Sequence, residues 1–435
     1  MAWDMVVVGG GPAGLFAAIA AAERGARALV LEHMSNPGRK LLASGGGQCN
    51  LTHGGEIMDF LPHYEGGTRP GEAGRFLRPA LYGFSNRDLV SWCARRGVPL
   101  TEDPDGRVFP ISRRAQDVLD LLLAEARRRR VELRTGVRVR ALRVERSRFV
   151  VLTAAGQKPV VEGLTLVLAT GGRSYPSLGA TGDGYRLAAS LGHSVVSPRP
   201  ALAPVVIERN AFSPFVPCAG VSLPGAAVAV VREKRTIAEK EGDVLFTHRG
   251  LSGPAVLNLS RYVLPGDSVR VSPLAGSGSI DLAEQRLTAE IAAHGKRTVA
   301  NLLQGLGLAA CLSRALLAAV GLGPGTKAAE LPREARHALA SSLAGGGDGG
   351  HPFPVGSLGG WNEAMVTAGG VTLGEVDPKT MASRILPGLF FAGEVLDVDG
   401  DTGGYNLQAA FSTGRLAGTS AAGKARSEAR RRVTR

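Results

Sequence analysis

The chain has 435 residues, 44% of them hydrophobic, and 51 Lys and Arg against 38 Asp and Glu give it a formal net charge of +13. At roughly 150 residues per unit, this length accommodates about three domain-sized units with sizeable cores. Four scattered cysteines (Cys49, Cys93, Cys218 and Cys311), with no CxxC and no histidine at zinc spacing, exclude a disulfide scaffold and a metal site, and they fit a reducing compartment. No apolar run reaches the ~18 residues of a membrane span. The first apolar stretch carries Asp4 and lacks a preceding basic region, unlike a signal peptide. A soluble, cytoplasmic protein with no membrane partner is expected.

Met5 to Val8 reads as a buried strand that breaks into Gly9-Gly10-Gly11-Pro12-Ala13-Gly14, and the alanine-rich Leu15 to Arg24 reads as a helix. In this spacing the first glycine makes the turn, the second admits a pyrophosphate against the backbone, and the third lets helix pack on strand. The helix N-terminus adds free N–H groups and positive dipole. Ala26 to Leu31 is again strand-like and ends at Glu32, whose carboxylate suits a ribose hydroxyl pair and disfavours a 2'-phosphate. A dinucleotide is implied, and this fingerprint alone does not choose between NAD and FAD. A second glycine turn, Ser44-Gly45-Gly46-Gly47, follows closely.

Asp117 to Arg130 is helix-like and opens a basic stretch. Residues 125–148 carry ten arginines against three glutamates, and residues 424–435 carry six basic residues against one glutamate. Basic residues favour the C-terminal end of a helix, and the tail reads as a frayed end. Clustered cations are also the electrostatic footprint of a nucleic-acid partner. Leu164 to Leu168 runs as a strand into Ala169-Thr170-Gly171-Gly172, and Leu389 to Ala392 runs into Gly393-Glu394. Ligands sit beyond such strand ends in doubly wound sheets. Asp397 to Gly404 is a polar loop, and Tyr405 to Leu416 has helical spacing that aims its N-terminus at whatever that loop holds.

Between these motifs, Val195 to Pro273 has strand-like pieces (Ala226 to Val231, Val244 to Thr247), Ile280 to Leu343 is mainly helical, and the glycine run 345–350 reads as a flexible return. The expected fold class is α/β. A discontinuous nucleotide-binding domain (1–195 and 366–424) carries an inserted substrate or cap domain at 196–365, with a β part at 196–275 and a helical part at 280–345. A basic tail, 425–435, follows.

The blocks Gly38 to Asn50, Gly106 to Pro110, Gly182 to Tyr185, Leu245 to Pro254, Thr367 to Val371 and Gly388 to Gly414 resemble, in order and over nearly the whole chain, the aminoacetone-oxidase-type FAD-binding proteins. These are related to the glutathione reductase-like and fumarate reductase-like flavoproteins. The resemblance implies a Rossmann-like FAD-binding domain and a hydride-transferring flavoenzyme. It places the pyrophosphate on Gly9, Gly11, Pro12, Ala13 and Gly14, and the adenosine ribose on Glu32. Arg39, Lys40, Gly46, Gly47 and Asn50 would line the flavin side, Thr170 and Gly171 the adenosine side, Gly393 and Glu394 the ribityl chain, and Asn406 and Leu407 the pyrimidine edge. One departure is Gln48, where the family has arginine, which removes an ion pair from this loop.

No second strand-GxGxxG-helix unit is present, so NADH or NADPH would act as a transient reductant near the flavin. Cys49, beside the glycine loop, is a candidate proton donor to carbon, against a plain packing role. Lys40 is a candidate for acting on substrate or flavin charge, against phosphate neutralisation, and His248 reads as a turn residue. The resemblance implies three activities: small-amine oxidation, reduction of a steroid enone, and reduction of uracil in large-subunit ribosomal RNA to dihydrouridine. The clustered arginines favour the RNA substrate, reached through segments 125–148 and 424–435. The alternatives are a small-molecule substrate and an RNA-binding flavoprotein without catalysis.

Overall fold

The computed structural model describes residues 2–154, 160–274, 278–345 and 348–433. The chain divides into one unit made of residues 1–199 and 365–435 and a second made of residues 200–364.

The first unit is built on a parallel sheet whose strands run, in spatial order, Glu132–Arg134, Ala28–Leu31, Trp3–Val8 and Val160–Leu168. Leu389–Phe391 adds in parallel to the C-terminal half of Val160–Leu168, and an antiparallel pair, Arg148–Thr153 and Val139–Glu145, extends its N-terminal half. The inner strands are continuous β-branched and leucine runs because both sheet faces are covered. Met5, Val6, Val7, Leu29, Val30, Leu166 and Val167 are completely buried.

The first helix, Pro12–Glu23, begins on proline, whose missing N–H costs nothing in a first turn. Its alanines let the C-terminal helix, Tyr405–Val433, approach almost to backbone contact. A Cβ placed on Gly414 would lie 2.5 Å from Ala13 O, and one on Gly418 would lie 2.0 Å from Ala17 O. Two glycines one turn apart are therefore matched to two alanines one turn apart. The C-terminal helix is longer than the expected Tyr405 to Leu416 and continues through the basic segment to Val433, so the tail expected to fray from 425 is helical that far. Residues 434 and 435 lie outside the described residues.

The basic stretch is partly neutralised by folding. Arg128 and Arg129 both bind Glu125, whose carboxyl is pulled down to about 2, first by its hydrogen bond to Arg128 and then by those from Arg129 and Arg96. Arg134, Arg138 and Arg148 pair with Glu132, Asp183 and Glu162. Arg127, Arg130, Arg140, Arg143 and Arg146 are exposed and have no carboxylate partner among the described residues. Half of the ten arginines thus remain as open charge.

The second unit is a closed barrel with strands in the order Val205–Ile207, Gly250–Ser252, Arg235–Phe246, Ser222–Arg232, Ser268–Ser272 and His351–Leu358. Closure abolishes sheet edges. Four helices, Ile280–His294, Val299–Gly305, Ala310–Ala319 and Arg333–Leu343, follow the fifth strand, within the span read as helical. Of the expected glycine return, Gly346 and Gly347 lie outside the described residues. Phe215, Phe246 and Phe353 fill the core, and His248 sits exposed in the turn closed by Thr247 N–H to Gly250 O.

His351 packs against Phe215 and Phe353, at centroid distances of 4.9 and 4.8 Å, and burial pushes its pKa down from 6.5 to about 4. In the unfolded chain the ring takes up a proton near its ordinary value, while the folded ring refuses it until about pH 4. Stability is therefore expected to fall as pH drops from about 6.5 to about 4 and to level off below, by about 3 kcal/mol. Urea midpoints measured across this range should show a smaller loss in His351→Gln than in the wild type. An equal loss would place the acid sensitivity elsewhere.

Candidate cofactor and active site

The ends of Trp3–Val8, Val160–Leu168 and Leu389–Phe391 converge on the start of the first helix. Gly9 takes φ +110°, and a Cβ there would lie 2.3 Å from Ala169 O. A Cβ on Gly14 would lie 1.9 Å from Gly9 O, so helix and turn are in contact. Gly11 differs, because its φ of −79° suits any residue and nothing lies within 4 Å of an added Cβ. The space before its backbone is open, which is what a pyrophosphate needs at a helix N-terminus. Pro12 and Ala13 complete the first turn, and Gly393, with φ +73°, approaches Ala13 so closely that a Cβ would lie 2.8 Å from the alanine methyl. Gly393 N–H donates to Thr413 Oγ1 at 3.0 Å, which ties the strand end to the C-terminal helix.

Glu32 is buried at the end of Ala28–Leu31, where Oε2 accepts from Gly10 N–H at 2.7 Å and Oε1 from Met34 N–H at 2.8 Å. Burial opposes its charge. The His33 imidazole at 3.1 Å and the two N–H groups outweigh that and hold the carboxyl below its ordinary range. A carboxylate has about four acceptor sites, and with Oε1 taken by Met34 N–H and His33, Oε2 keeps one for a ribose hydroxyl. Gly171, at φ +71°, also faces open space beside Thr170.

The second glycine turn is a run of left-handed residues, Gly45 at +56°, Gly46 at +65° and Gly47 at +89°, with Gly46 and Gly47 exposed. Nothing lies within 4 Å of a Cβ on Gly46. Asn50, with its amide turned to satisfy both partners, donates to Thr52 O at 3.0 Å and accepts from Gly404 N–H at 3.2 Å. It thereby joins this turn to the start of the C-terminal helix. Asn406 spends its amide on the loop before that helix, accepting from Gly400 N–H at 2.8 Å and donating to Gly400 O at 2.8 Å and Asp401 O at 3.2 Å. With that amide engaged, the backbone N–H groups of the first turn are what Asn406 and the half-buried Leu407 have to offer as donors to a flavin edge.

Lys40 and Glu394, distant in sequence, form an ion pair at 2.7 Å. Ser174 Oγ lies 2.5 Å from Lys40 Nζ, and Thr367 N–H donates to Glu394 Oε1 at 2.8 Å. Thr367 Oγ1 in turn accepts from the N–H groups of Arg173 and Ser174 at 2.8 and 3.2 Å. Arg39 starts the short helix Arg39–Ala43 that carries Lys40. Ser174 and Thr367 were not singled out from sequence, although Thr367 opens one of the recognised blocks.

For Cys49 the sequence offers two readings, proton donor to carbon and packing residue. It sits at φ +61° with its side chain completely buried in the core. Burial pushes its thiol up to about 12. Of the two readings, full burial favours packing.

Beside the Asp399–Gly404 loop lies a cavity of about 370 Å³, lined by His53, Phe60, His63 and Tyr405 with Asp59 and Glu102. Tyr405 stacks on His63, with centroids 4.2 Å apart and planes 14° apart, and His63 Nδ1 meets Asp401 Oδ2 at 2.9 Å. Sequence carried no signal for this contact, which joins single residues from opposite ends of the chain.

The open cradle at Gly11, Gly46 and Gly171, together with the ribose carboxylate of Glu32, fits FAD. FAD bound there supplies hydride exchange through its flavin ring. Among the described residues, no helix is long and apolar enough to cross a membrane.

The chain matches the family model described as HI0933-like protein Rossmann domain over residues 3–420. It is 35% identical to a 3-dehydro-bile acid delta(4,6)-reductase of Clostridium scindens, over 96% of this chain and 98% of that one. It is 33% identical to a ribosomal RNA dihydrouridine synthase of Escherichia coli K12, over 94% and 96%. A solved 3-ketosteroid-delta4-(5alpha)-dehydrogenase of Rhodococcus jostii RHA1, in complex with 4-androstene-3,17-dione, shares the fold at a TM-score of 0.50 and 18% identity, covering 97% of this chain and 96% of that one. With the fingerprint geometry in place and the family model spanning nearly all of it, the chain belongs to the HI0933-like FAD-binding Rossmann family and is an FAD-dependent oxidoreductase.

Proposed function

We propose that the protein is a cytoplasmic, NAD(P)H-driven reductase of a conjugated carbon–carbon double bond, with uracil of large-subunit ribosomal RNA as its leading substrate. The curated relatives named above, as a bile-acid reductase and a dihydrouridine synthase, share one chemistry: hydride addition to one carbon of such a bond and proton addition to its neighbour. The observation that carries the RNA reading is the set of five exposed arginines without a carboxylate partner among the described residues, Arg127, Arg130, Arg140, Arg143 and Arg146. Open cationic charge gains affinity from a phosphate backbone by counterion release and gains little from a neutral steroid.

The chain's own part is binding and orientation. Gly11 and the first-helix N-terminus hold a pyrophosphate, Glu32 orients a ribose, and the C-terminal helix directs its positive end at the loop Asp399–Gly404. The test is a gene deletion followed by mapping of dihydrouridine in 23S rRNA, with restoration by the purified protein and NADPH on deletion-strain RNA. An unchanged map overturns the RNA reading. The 35% identity to the bile-acid reductase favours a second reading, a steroid enone substrate. NADPH oxidation dependent on an enone, with the RNA map unchanged, would establish it.

Under either substrate, Cys49→Ala is expected to keep turnover within about a factor of 3, whereas losing a general acid costs ~10²–10⁴-fold. Steady-state kcat measured with the accepted substrate checks this.

A further inference from the structure

Cys218 closes the short helix Ser213–Cys218, and Cys311 lies in the first turn of Ala310–Ala319. The two elements pack on each other, both side chains belong to the apolar cluster of the barrel unit, and the Cys311 thiol is close enough to act directly on that of Cys218. Their access is unequal, with Cys218 completely buried and Cys311 partly exposed. Burial, with Cys311 alongside, pushes the Cys218 thiol up to about 12, so Cys218 is not the sulfur that reacts first.

We infer that Cys311 and Cys218 form a peroxide-sensitive dithiol, a modification site at which hydrogen peroxide converts the pair to a disulfide tying Ala310–Ala319 to Ser213–Cys218. Hydrogen peroxide is an oxidant that reduced flavins can release on meeting dioxygen. The Cys311 sulfur attacks one peroxide oxygen, the O–O bond breaks, water leaves, and Cys311 becomes a sulfenic acid. The Cys218 sulfur then displaces that hydroxyl, which departs as water with the Cys218 proton as the S–S bond forms. Two thiols lose two electrons and two protons, and one peroxide becomes two waters. An accessible first-reacting sulfur poised beside a resolving cysteine is the arrangement of redox-responsive pairs, and here the accessible sulfur is the partly exposed Cys311. Cys49 and Cys93 are both buried in the other unit and offer no such entry.

The test treats the full-length, FAD-loaded protein with hydrogen peroxide, counts thiols after denaturation and maps the peptides by mass. The expected result is loss of two of the four thiols, recovered by dithiothreitol, with one cross-linked peptide joining Cys218 to Cys311. Cys218→Ser should leave Cys311 as a sulfenic acid that dimedone traps, and Cys311→Ser should keep its three thiols under the same dose. A Cys49–Cys93 link, or over-oxidation of Cys311 in the wild type without a disulfide, overturns the inference, as does retention of all four thiols.

Discussion

Gly11→Val is expected to yield a folded protein without flavin. Gly11 has ordinary φ and open space where a Cβ would go, so the substitution strains neither turn nor helix. Its two methyls would occupy the volume in front of the helix N-terminus, where a pyrophosphate must approach the backbone. Gly14→Ala is expected to behave in the opposite way. Its single methyl would lie 1.9 Å from Gly9 O, a backbone atom fixed by the same turn, so helix and strand must separate. Overpacking of this kind costs about 1–3 kcal/mol and more where nothing can relax. The pair therefore separates cofactor binding from folding. Flavin absorbance per protein should fall at least about tenfold in Gly11→Val, equivalent to about 1.4 kcal/mol or more, with a urea midpoint matching flavin-stripped wild type. Gly14→Ala should lower that midpoint even in flavin-stripped protein. Full flavin content in Gly11→Val would show that the cradle is not where the cofactor sits.

What could be read from sequence was local. The spacing Gly9-x-Gly11-x-x-Gly14, the strands around it and Glu32 follow steric rules acting over a few residues: Gly9 and Gly14 are in backbone contact and Gly11 faces open space. The exposed turn at Gly46 and Gly47 was legible for the same reason. Cys49 was placed correctly in the chain, but its side-chain direction depends on a left-handed backbone that a neighbouring glycine run does not dictate. The barrel's strand pieces were visible as alternation. Its closure was not, because Val205–Ile207 pairs with His351–Leu358 from the opposite end of the unit, a contact no local pattern encodes. Half of the arginine stretch lost its open charge to carboxylates such as Asp183, whose partner no periodicity predicts. The cluster around Lys40 is the extreme case, since four short segments each contribute one ordinary polar residue.

That cluster carries the second large effect. Lys40→Met is expected to lower flavin affinity by about ten- to a hundredfold, because it leaves the Glu394 carboxylate without its cation beside the strand end that also presents Gly393. Breaking a buried ion pair by removing one partner costs about 3–5 kcal/mol. Here the side chains are 28% and 19% exposed, so solvent takes up part of the loss, and about 1–3 kcal/mol is expected. The carboxylate keeps Thr367 N–H, which limits its displacement. If the pair acts as a unit, Glu394→Gln should cost comparably, and the double variant Lys40→Met with Glu394→Gln should cost clearly less than the sum of the two single changes. Flavin titration of the stripped proteins provides the four affinities. Lys40→Arg is a stricter probe, because a planar guanidinium keeps the charge but cannot occupy the same point between Ser174 Oγ and both Glu394 oxygens. An intermediate affinity for Lys40→Arg would show that placement as well as charge matters. Strictly additive single and double variants would show that Lys40 acts on the cofactor independently of Glu394.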